Sequence, residues 1–342
     1  MNKESIQHNG EPDEQQLAGI IRRAGPRGQP GMAARDAVRD AVHAEWCAVV
    51  AARRRRQHTR WSLAAAAAAA AVAVWIGVPW VQAPAAAIAA VTRVTGPVTI
   101  DNGSWLSRAA PAVVGAALAA GTELRSAPGG RLALQIGATS VRLDGDSAVT
   151  MLAADRIALE RGAVYVDSGA GQSGDASLVI QTPLGAVEHI GTQYEARLAQ
   201  DTLRVMVREG GVRIERDGAA IETQAGEQLT LDRAGDVHRL PIGRADAAWA
   251  WAAQVAPAFN IENRPLPEFL GWVSRETGRT IAFASAAAEQ AAGAVVLRGS
   301  VAGLTPAEAL AAVLATTELD YRDTQPGPIL IDIRQISQQG ER

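Results

Sequence analysis

Residues 131–143 read RLALQIGATSVRL, and this stretch decides the fold of the longest part of the chain. Apolar side chains alternate with other residues in Arg131–Ile136 and again in Thr139–Leu143. Because successive side chains of a strand point to opposite faces, a period of two predicts two short strands, each with one apolar face. Turn residues flank the pair, with Pro128-Gly129-Gly130 before it and Asp144-Gly145-Asp146 after it.

The same alternation returns along the chain, separated by further turn signals such as Arg161-Gly162, Glu209-Gly210-Gly211 and Ala225-Gly226. Short strands at intervals of about 8–12 residues predict an all-β domain, built as a sandwich, a barrel or a solenoid. Polar residues at alternate positions argue against a buried parallel α/β sheet. We assign this all-β domain of short antiparallel strands to residues 93–235. The other alternating segments are Ile157–Leu159, Val164–Val166 and Leu203–Arg208.

An uncharged run upstream, residues 61–81, reads WSLAAAAAAAAVAVWIGVPWV and predicts one transmembrane helix. About 20 residues of helix cross the hydrocarbon core of a bilayer. Tryptophans favour the headgroup boundary, and basic residues stay on the cytoplasmic side, so the N-terminus is expected inside. The residues predicted to set this topology and to contact lipid are Arg53, Arg54, Arg55, Arg56, Arg60, Trp61 and Trp80.

Two alternatives to a retained anchor are a soluble alanine-rich helix and a cleaved signal peptide, since Ala83-Pro84-Ala85 resembles a cleavage site. A signal peptide would begin earlier and have a shorter apolar core. The charge distribution agrees with the anchor, because residues 1–60 carry 11 Lys and Arg against 7 Asp and Glu, whereas the remainder carries 22 against 29. The expected location is a bacterial inner membrane, with the C-terminal part in the periplasm.

Residues 1–60 are predicted to form a cytoplasmic tail with one amphipathic helix over about residues 32–58. Val38, Val42, Trp46 and Val49 recur at helical spacing and form one apolar stripe. The stripe is compatible with self-packing, with contact to the membrane surface, or with docking of a partner protein. The only cysteine, Cys47, lies in this tail, so no disulfide framework is expected outside.

A linker at residues 82–92 and a linker helix at residues 236–256, with the short helix itself at about 244–256, are expected to bound the all-β domain, and residues 257–336 to form a small α+β domain. Its sequence places a helix at Pro265–Thr277, closed by Gly278, and a capping box at Thr305-Pro306-Ala307-Glu308. One apolar helix face is expected to cover the sheet and to offer a docking surface for a partner. That face comprises Leu266, Phe269, Leu270 and Val273.

No catalytic constellation, cofactor motif or metal-ligand spacing stands out in the sequence. Asp144-Gly145-Asp146 lacks the further ligands of a calcium loop and is interpreted as a hairpin turn. His189 is interpreted as a half-buried strand residue, and the arginine run as lipid-facing rather than as a nucleic-acid site. The sequence thus favours an interaction protein, with a membrane-tethered envelope scaffold and an envelope hydrolase as the competing hypotheses.

The residues also carry a family likeness. The stretches 121–136, 182–187, 191–196 and 204–212 together resemble the FecR-like periplasmic domain. Residues 257–335 resemble, more loosely, the short N-terminal domain of secretins and TonB-dependent receptors. The positions that match the FecR-like pattern are Gly121, Gly130, Thr182, Pro183, Gly185, Gly191, Thr192, Glu209 and Gly210.

This resemblance implies an all-β fold outside and a regulatory role. FecR-like proteins are single-pass inner-membrane regulators that inhibit or activate an extracytoplasmic-function sigma factor. Their periplasmic part responds to an outer-membrane TonB-dependent receptor. The tail departs from the family pattern, because Trp46 is its only tryptophan before the predicted span.

Overall fold

The computed structural model describes residues 18–19, 22–23, 25, 31–33, 36–37, 39–46, 86–103, 109–169, 177–324 and 327–335. The chain divides into two compact units, Met1–Gln82 and Ala83–Arg342. In the first unit, residues 39–46 are helical, and the side chains of Val42 and Trp46 are each 62% exposed. Val38 and Val49, the basic run and the predicted membrane segment 61–81 lie outside the described residues. Among the helices that the structure describes, none has the length and hydropathy needed to cross a bilayer.

The second unit begins with fifteen strands that belong to one hydrogen-bonded sheet. They are β1 (Ala87–Thr95), β2 (Val98–Asp101), β3 (Ala110–Pro111), β4 (Ala117–Ala119), β5 (Glu123–Ser126), β6 (Arg131–Ile136), β7 (Thr139–Leu143), β8 (Ala148–Ala153), β9 (Arg156–Asp167), β10 (Val179–Thr182), β11 (Gly185–Ala199), β12 (Thr202–Arg216), β13 (Ala219–Gln224), β14 (Glu227–Asp232) and β15 (Val237–Pro241).

Three long strands, β9, β11 and β12, change partners halfway along and so divide the sheet into two layers. The later half of β9 pairs with β7 and with β11, whereas its earlier half pairs with β8 and β10. Similarly, β12 pairs first with β14 and then with β13. The first layer therefore runs β4-β1-β6-β7-β9-β11-β12-β14-β15, and the apolar core lies between it and the second layer. The all-β character is as predicted, and this two-layered domain is called the sandwich below.

Glycines allow the long strands to bend without ending. Gly162 has φ +85°, and a Cβ there would lie 2.2 Å from Oγ of Ser147, so this corner requires glycine. Gly210 bends β12 in the same way, with φ +78°. The turns expected at Arg161-Gly162 and Glu209-Gly210 are therefore wrong as strand ends, because β9 and β12 continue through them. A glycine signals a tight backbone position, but it does not distinguish a bend within a strand from a turn between two strands.

After the sheet come a connector, residues 242–256, and a C-terminal domain, residues 257–335. The connector contains a short 3-10 helix, Ala247–Trp249, followed by α1 (Ala250–Gln254). The C-terminal domain comprises β16 (Arg264–Pro265), α2 (Leu266–Thr277), β17 (Ile281–Phe283), α3 (Ala286–Ala294), β18 (Val296–Leu297), α4 (Pro306–Ala315), β19 (Leu319–Asp323) and β20 (Ile329–Ile333). Its three-stranded sheet has the order β17-β20-β19.

The predicted C-terminal end of α2 and the predicted N-terminal start of α4 are both confirmed. Gly278 ends α2 in the left-handed conformation, with φ +69°. Thr305 and Glu308 form the reciprocal hydrogen bonds of a capping box at the start of α4.

The bounds of two predicted linkers, and one predicted surface, are wrong. Residues 82–92 overlap β1, which starts at Ala87, and residues 236–256 include β15 before the short helix that was predicted at about 244–256. The face Leu266, Phe269, Leu270 and Val273 packs into the core of the C-terminal domain, where each side chain is at most 3% exposed. These residues hold the domain together and leave no surface for a partner, because an apolar helical stripe is buried first against its own sheet.

Candidate functional site

The outer face of the first layer carries charged side chains at alternate strand positions. Arg142, for example, lies between Val141 and Leu143, which both point into the core. The period-two pattern would place such side chains in water. Instead, the connector and the C-terminal domain cover this face. The charged residues concerned are Arg131, Arg142, Asp167, Glu195, Arg197, Arg204 and Arg208.

The centre of this covered face is an ion pair between the two domains. Both terminal nitrogens of Arg142 donate to the carboxylate of Glu276 near the end of α2, at 2.7 and 2.8 Å. The side chains of Arg142 and Glu276 are only 1% and 5% exposed. Burial alone would lower the pKa of Arg142, but the charge and the hydrogen bonds of Glu276, together with the charges of neighbouring acidic groups, raise it. Two charges so deeply buried are tolerated because the pair is bidentate.

Aromatic rings surround the ion pair and complete the desolvation. The guanidinium carbon of Arg142 lies 5.0 Å from the ring centroid of Tyr165, and that of Arg208 lies 4.7 Å from the ring of Trp249. Arg208 also donates to the main-chain carbonyl of Glu276 at 3.1 Å. Burial raises the pKa of Tyr165 to about 12, so its hydroxyl stays protonated at neutral pH.

A second ion-pair group lies at the rim, with the charges reversed between the domains. Here Arg275 of α2 supplies the cation, and Asp167 and Glu209 of the sheet supply the carboxylates. Burial tends to raise the pKa of Asp167, but hydrogen bonds from Arg275 and Gln193 hold it below its usual range. The two docking contacts are therefore complementary in sign, which fixes how α2 is oriented on the sheet.

The connector is held by a third polar group. The indole nitrogen of Trp251 donates to Glu195 at 2.6 Å, and Glu195 also accepts from Arg197 and Arg204. Glu195 is fully buried, so these three donors replace its hydration. The connector thus joins the β-sandwich and the C-terminal domain into one body.

An open groove of about 1580 Å³ separates part of the connector from the C-terminal domain. Arg244 and Ala250 lie on the connector wall, and Ala282 of β17 and Pro306 of α4 lie on the other wall. Within the described residues, β17 pairs only with β20, so one edge of β17 is open beside the groove. An open strand edge next to a groove can accept an extended peptide.

The positions that match the FecR-like pattern are structural in this fold. Thr182 accepts from the main-chain nitrogen of Leu184 and donates to the carbonyl of Gly185, which shapes the hairpin between β10 and β11. A Cβ at Gly130 would lie 2.1 Å from the carbonyl oxygen of Pro97. Gly121 and Gly191 have positive φ, and Thr192 is buried. Glu209 contacts the C-terminal domain through Arg275.

The geometry of these contacts is that of an interface between two domains. The part of the chain that the structure describes contains no cluster of three or more His, Cys, Asp or Glu that could hold a metal ion. His189 is buried, and its Nε2 accepts from the main-chain nitrogen of Leu178 at 3.2 Å. The charged side chains are engaged with each other and with main-chain groups, which suits docking of one domain on another.

Sequence reasoning missed the interdomain interface. Both signs of charge occur at alternate positions of neighbouring strands, in the segments around Arg142, Glu195 and Arg208. This pattern did not reveal the interface, because opposite charges paired across strands are equally typical of a solvated face.

Comparison with known proteins supports the family likeness. Residues 122–213 match the family model described as FecR protein, so this part of the chain is similar to FecR-family domains. Two crystal structures, at 2.50 and 1.65 Å resolution, show a Parabacteroides distasonis protein proposed to be an anti-sigma factor. Each has 15% identity and a TM-score of 0.32, and the match covers 62% of this chain and 99% of the other. No curated protein matches this chain at a significant level.

Proposed function

We propose that this FecR-like protein is a single-pass inner-membrane signal transducer that regulates an extracytoplasmic-function sigma factor. The observation that carries the proposal is the FecR-like domain at residues 122–213. It is joined in one chain to a separate N-terminal unit whose helix leaves Val42 and Trp46 exposed. Exposed aromatic and aliphatic residues on one helical face are typical anchors for a partner protein.

The sigma-factor contact is tested with the full-length protein, tagged at its C-terminus, extracted in mild detergent and used to capture partners from its own host. We expect a sigma factor among the captured proteins, identified by mass spectrometry. Trp46→Ala should lower its recovery about tenfold or more, since aromatic anchors often contribute at least 2 kcal/mol. Asp40→Ala is the matched control, because residue 40 lies on the opposite side of the helix from residue 42.

A sigma factor recovered equally with Trp46→Ala would reject the stripe as the docking face. If no sigma factor is captured and the cellular phenotype survives deletion of residues 1–52, the protein is a membrane-tethered scaffold instead. That deletion keeps the basic run and the apolar segment, so it separates partner binding from topology.

The proposed topology places the N-terminus in the cytoplasm and residues 93–342 in the periplasm, with the basic run against lipid headgroups. Protease added to intact spheroplasts should then degrade the C-terminal part and spare the tail. A full-length product in the soluble fraction would contradict the membrane anchor.

On the periplasmic side, we place an outer-membrane receptor or another envelope protein at the groove beside β17. The open edge of β17 and the volume of the groove, about 1580 Å³, support this position. A photo-crosslinking amino acid at Ala282 should trap the partner in cells. The same group at Glu289, an exposed residue of α3, is the control and should trap little. Equal trapping from both positions would move the partner away from the groove.

A further inference from the structure

One cation joins the first strand of the sandwich to the C-terminal domain. Arg93 of β1 donates to three main-chain carbonyls, those of Ala256 at 3.1 Å, Leu304 at 2.9 Å and Gly303 at 2.8 Å. Ala256 ends the connector, and the other two acceptors lie in the loop before α4. A single side chain therefore holds three segments that are far apart in sequence.

The acceptors make this contact different from the ion pairs nearby. All three hydrogen-bond acceptors are neutral carbonyls. Burial lowers the pKa of Arg93, while the nearby charge of Glu308 acts in the opposite direction. If the C-terminal domain moves, the carbonyls of Gly303 and Leu304 lose their donor together.

The strand that carries Arg93 is weakly supported elsewhere. The pairing of β1 with β6 is interrupted by a register shift between Val91 and Arg93. On its other side, β1 pairs only with β4, a three-residue strand at the end of the sheet. Irregular, short pairings open at lower free-energy cost than the centre of a sheet.

We propose that docking of the C-terminal domain, through Arg93, sets the stability of β1 and that undocking loosens this strand. Ala87, where β1 begins, is six residues beyond Val81, the last residue of the predicted membrane segment. Docking of the C-terminal domain thereby changes the stability of β1, the strand that lies nearest to the N-terminal unit in sequence. The regulatory meaning of this coupling rests on the proposed function, but the coupling itself does not.

The coupling is tested by hydrogen exchange, read by mass spectrometry, on the full-length protein in detergent. Arg93→Met should raise exchange in peptides from β1 by about tenfold or more, with β9 unchanged, since several charge-assisted bonds are lost. Arg93→Lys keeps the charge with fewer donors and should give a smaller rise. Arg125→Met, an exposed arginine of β5, is the control.

The decisive variant is Glu276→Gln, which weakens docking of α2 without touching β1. We expect exchange to rise in α2 and also in β1, while β9 stays protected. Three results would overturn the proposal: a rise confined to α2, unchanged exchange of β1 in Arg93→Met, or an equal rise over β1, β6 and β9. None of these measurements uses a sigma factor, so a failed capture experiment and a failed coupling experiment are separate outcomes.

Discussion

Glu276 accepts hydrogen bonds from both terminal nitrogens of Arg142, a residue 134 positions earlier in the sequence. Both side chains are almost completely buried. The pair lies where α2 of one domain meets β7 of the other. Burying two charges costs several kcal/mol per ion, and only their close bidentate contact offsets that cost. The pair therefore specifies which face of the C-terminal domain docks, more than it adds net stability.

Breaking this pair from one side should be strongly destabilising. Arg142→Met leaves the Glu276 carboxylate buried without a partner and should lower the free energy of unfolding by about 3–5 kcal/mol. The double variant Arg142→Met with Glu276→Leu removes both charges and should be more stable than either single variant. Urea denaturation followed by circular dichroism measures all three. If the decrease in the free energy of unfolding of the double variant equals the sum of the two single decreases, Arg142 and Glu276 do not interact energetically.

Replacing Gly278, which caps α2, should destabilise the protein, whereas replacing Gly271 within α2 should not. A Cβ at Gly278 would lie 2.0 Å from the carbonyl oxygen of Arg244, and φ is +69°. Gly278→Ala should therefore push the connector away from α2 and lower the melting temperature. Gly271→Ala meets nothing within 4 Å and should stabilise the helix by up to about 1 kcal/mol. Calorimetry of both variants tests the contrast, and equal shifts would show that the close approach to Arg244 is unimportant.

The indole hydrogen bond of Trp251 should contribute more to the free energy of unfolding than the indole hydrogen bond of Trp249. Trp251 donates to the buried carboxylate of Glu195, whereas Trp249 donates to the neutral carbonyl of Gly243. Phenylalanine preserves an aromatic ring but removes the donor. Trp251→Phe should cost about 1.5–3 kcal/mol and Trp249→Phe about 0.5–1.5 kcal/mol, because bonds to charged acceptors are stronger. Chemical denaturation that gives the reverse order would contradict the role of Glu195.

The strand pattern could be predicted from sequence because its cause is local. The alternation in Arg131–Ile136 and Thr139–Leu143 matches β6 and β7 residue for residue. The end of α2 at Gly278 and the capping box at Thr305 were predictable for the same reason. Each depends on side chains only a few residues apart.

The interface between the two domains could not be predicted from the sequence. The alternation of side chains along a strand shows which of them share a face, but not which other part of the chain covers that face. Arg142 would have been assigned to the solvent side of its strand, and its partner Glu276 lies on a helix of another domain. The apolar face of Leu266, Phe269 and Leu270 was overinterpreted for a related reason. Amphipathicity identifies a buried face without telling whether the covering surface belongs to the same domain or to a partner.

His189 should make the folded protein sensitive to mild acid. Burial lowers its pKa from the usual value of 6.5. Its Nε2 must also stay unprotonated to accept from Leu178. A lowered folded-state pKa means that the unfolded chain binds the proton more readily. The stability contributed by the neutral ring is therefore fully present above about pH 6.5 and is lost as the pH falls toward the lowered folded-state value.

The test measures how far the melting temperature falls between pH 7.5 and pH 5 in the parent protein, in His189→Gln and in His238→Gln. We expect the decrease on acidification to be smaller in His189→Gln, because glutamine keeps a carbonyl acceptor that does not titrate in this range. His238 is exposed on β15, so its variant should follow the parent protein. A parallel pH dependence in all three proteins would mean that groups other than His189 govern the response.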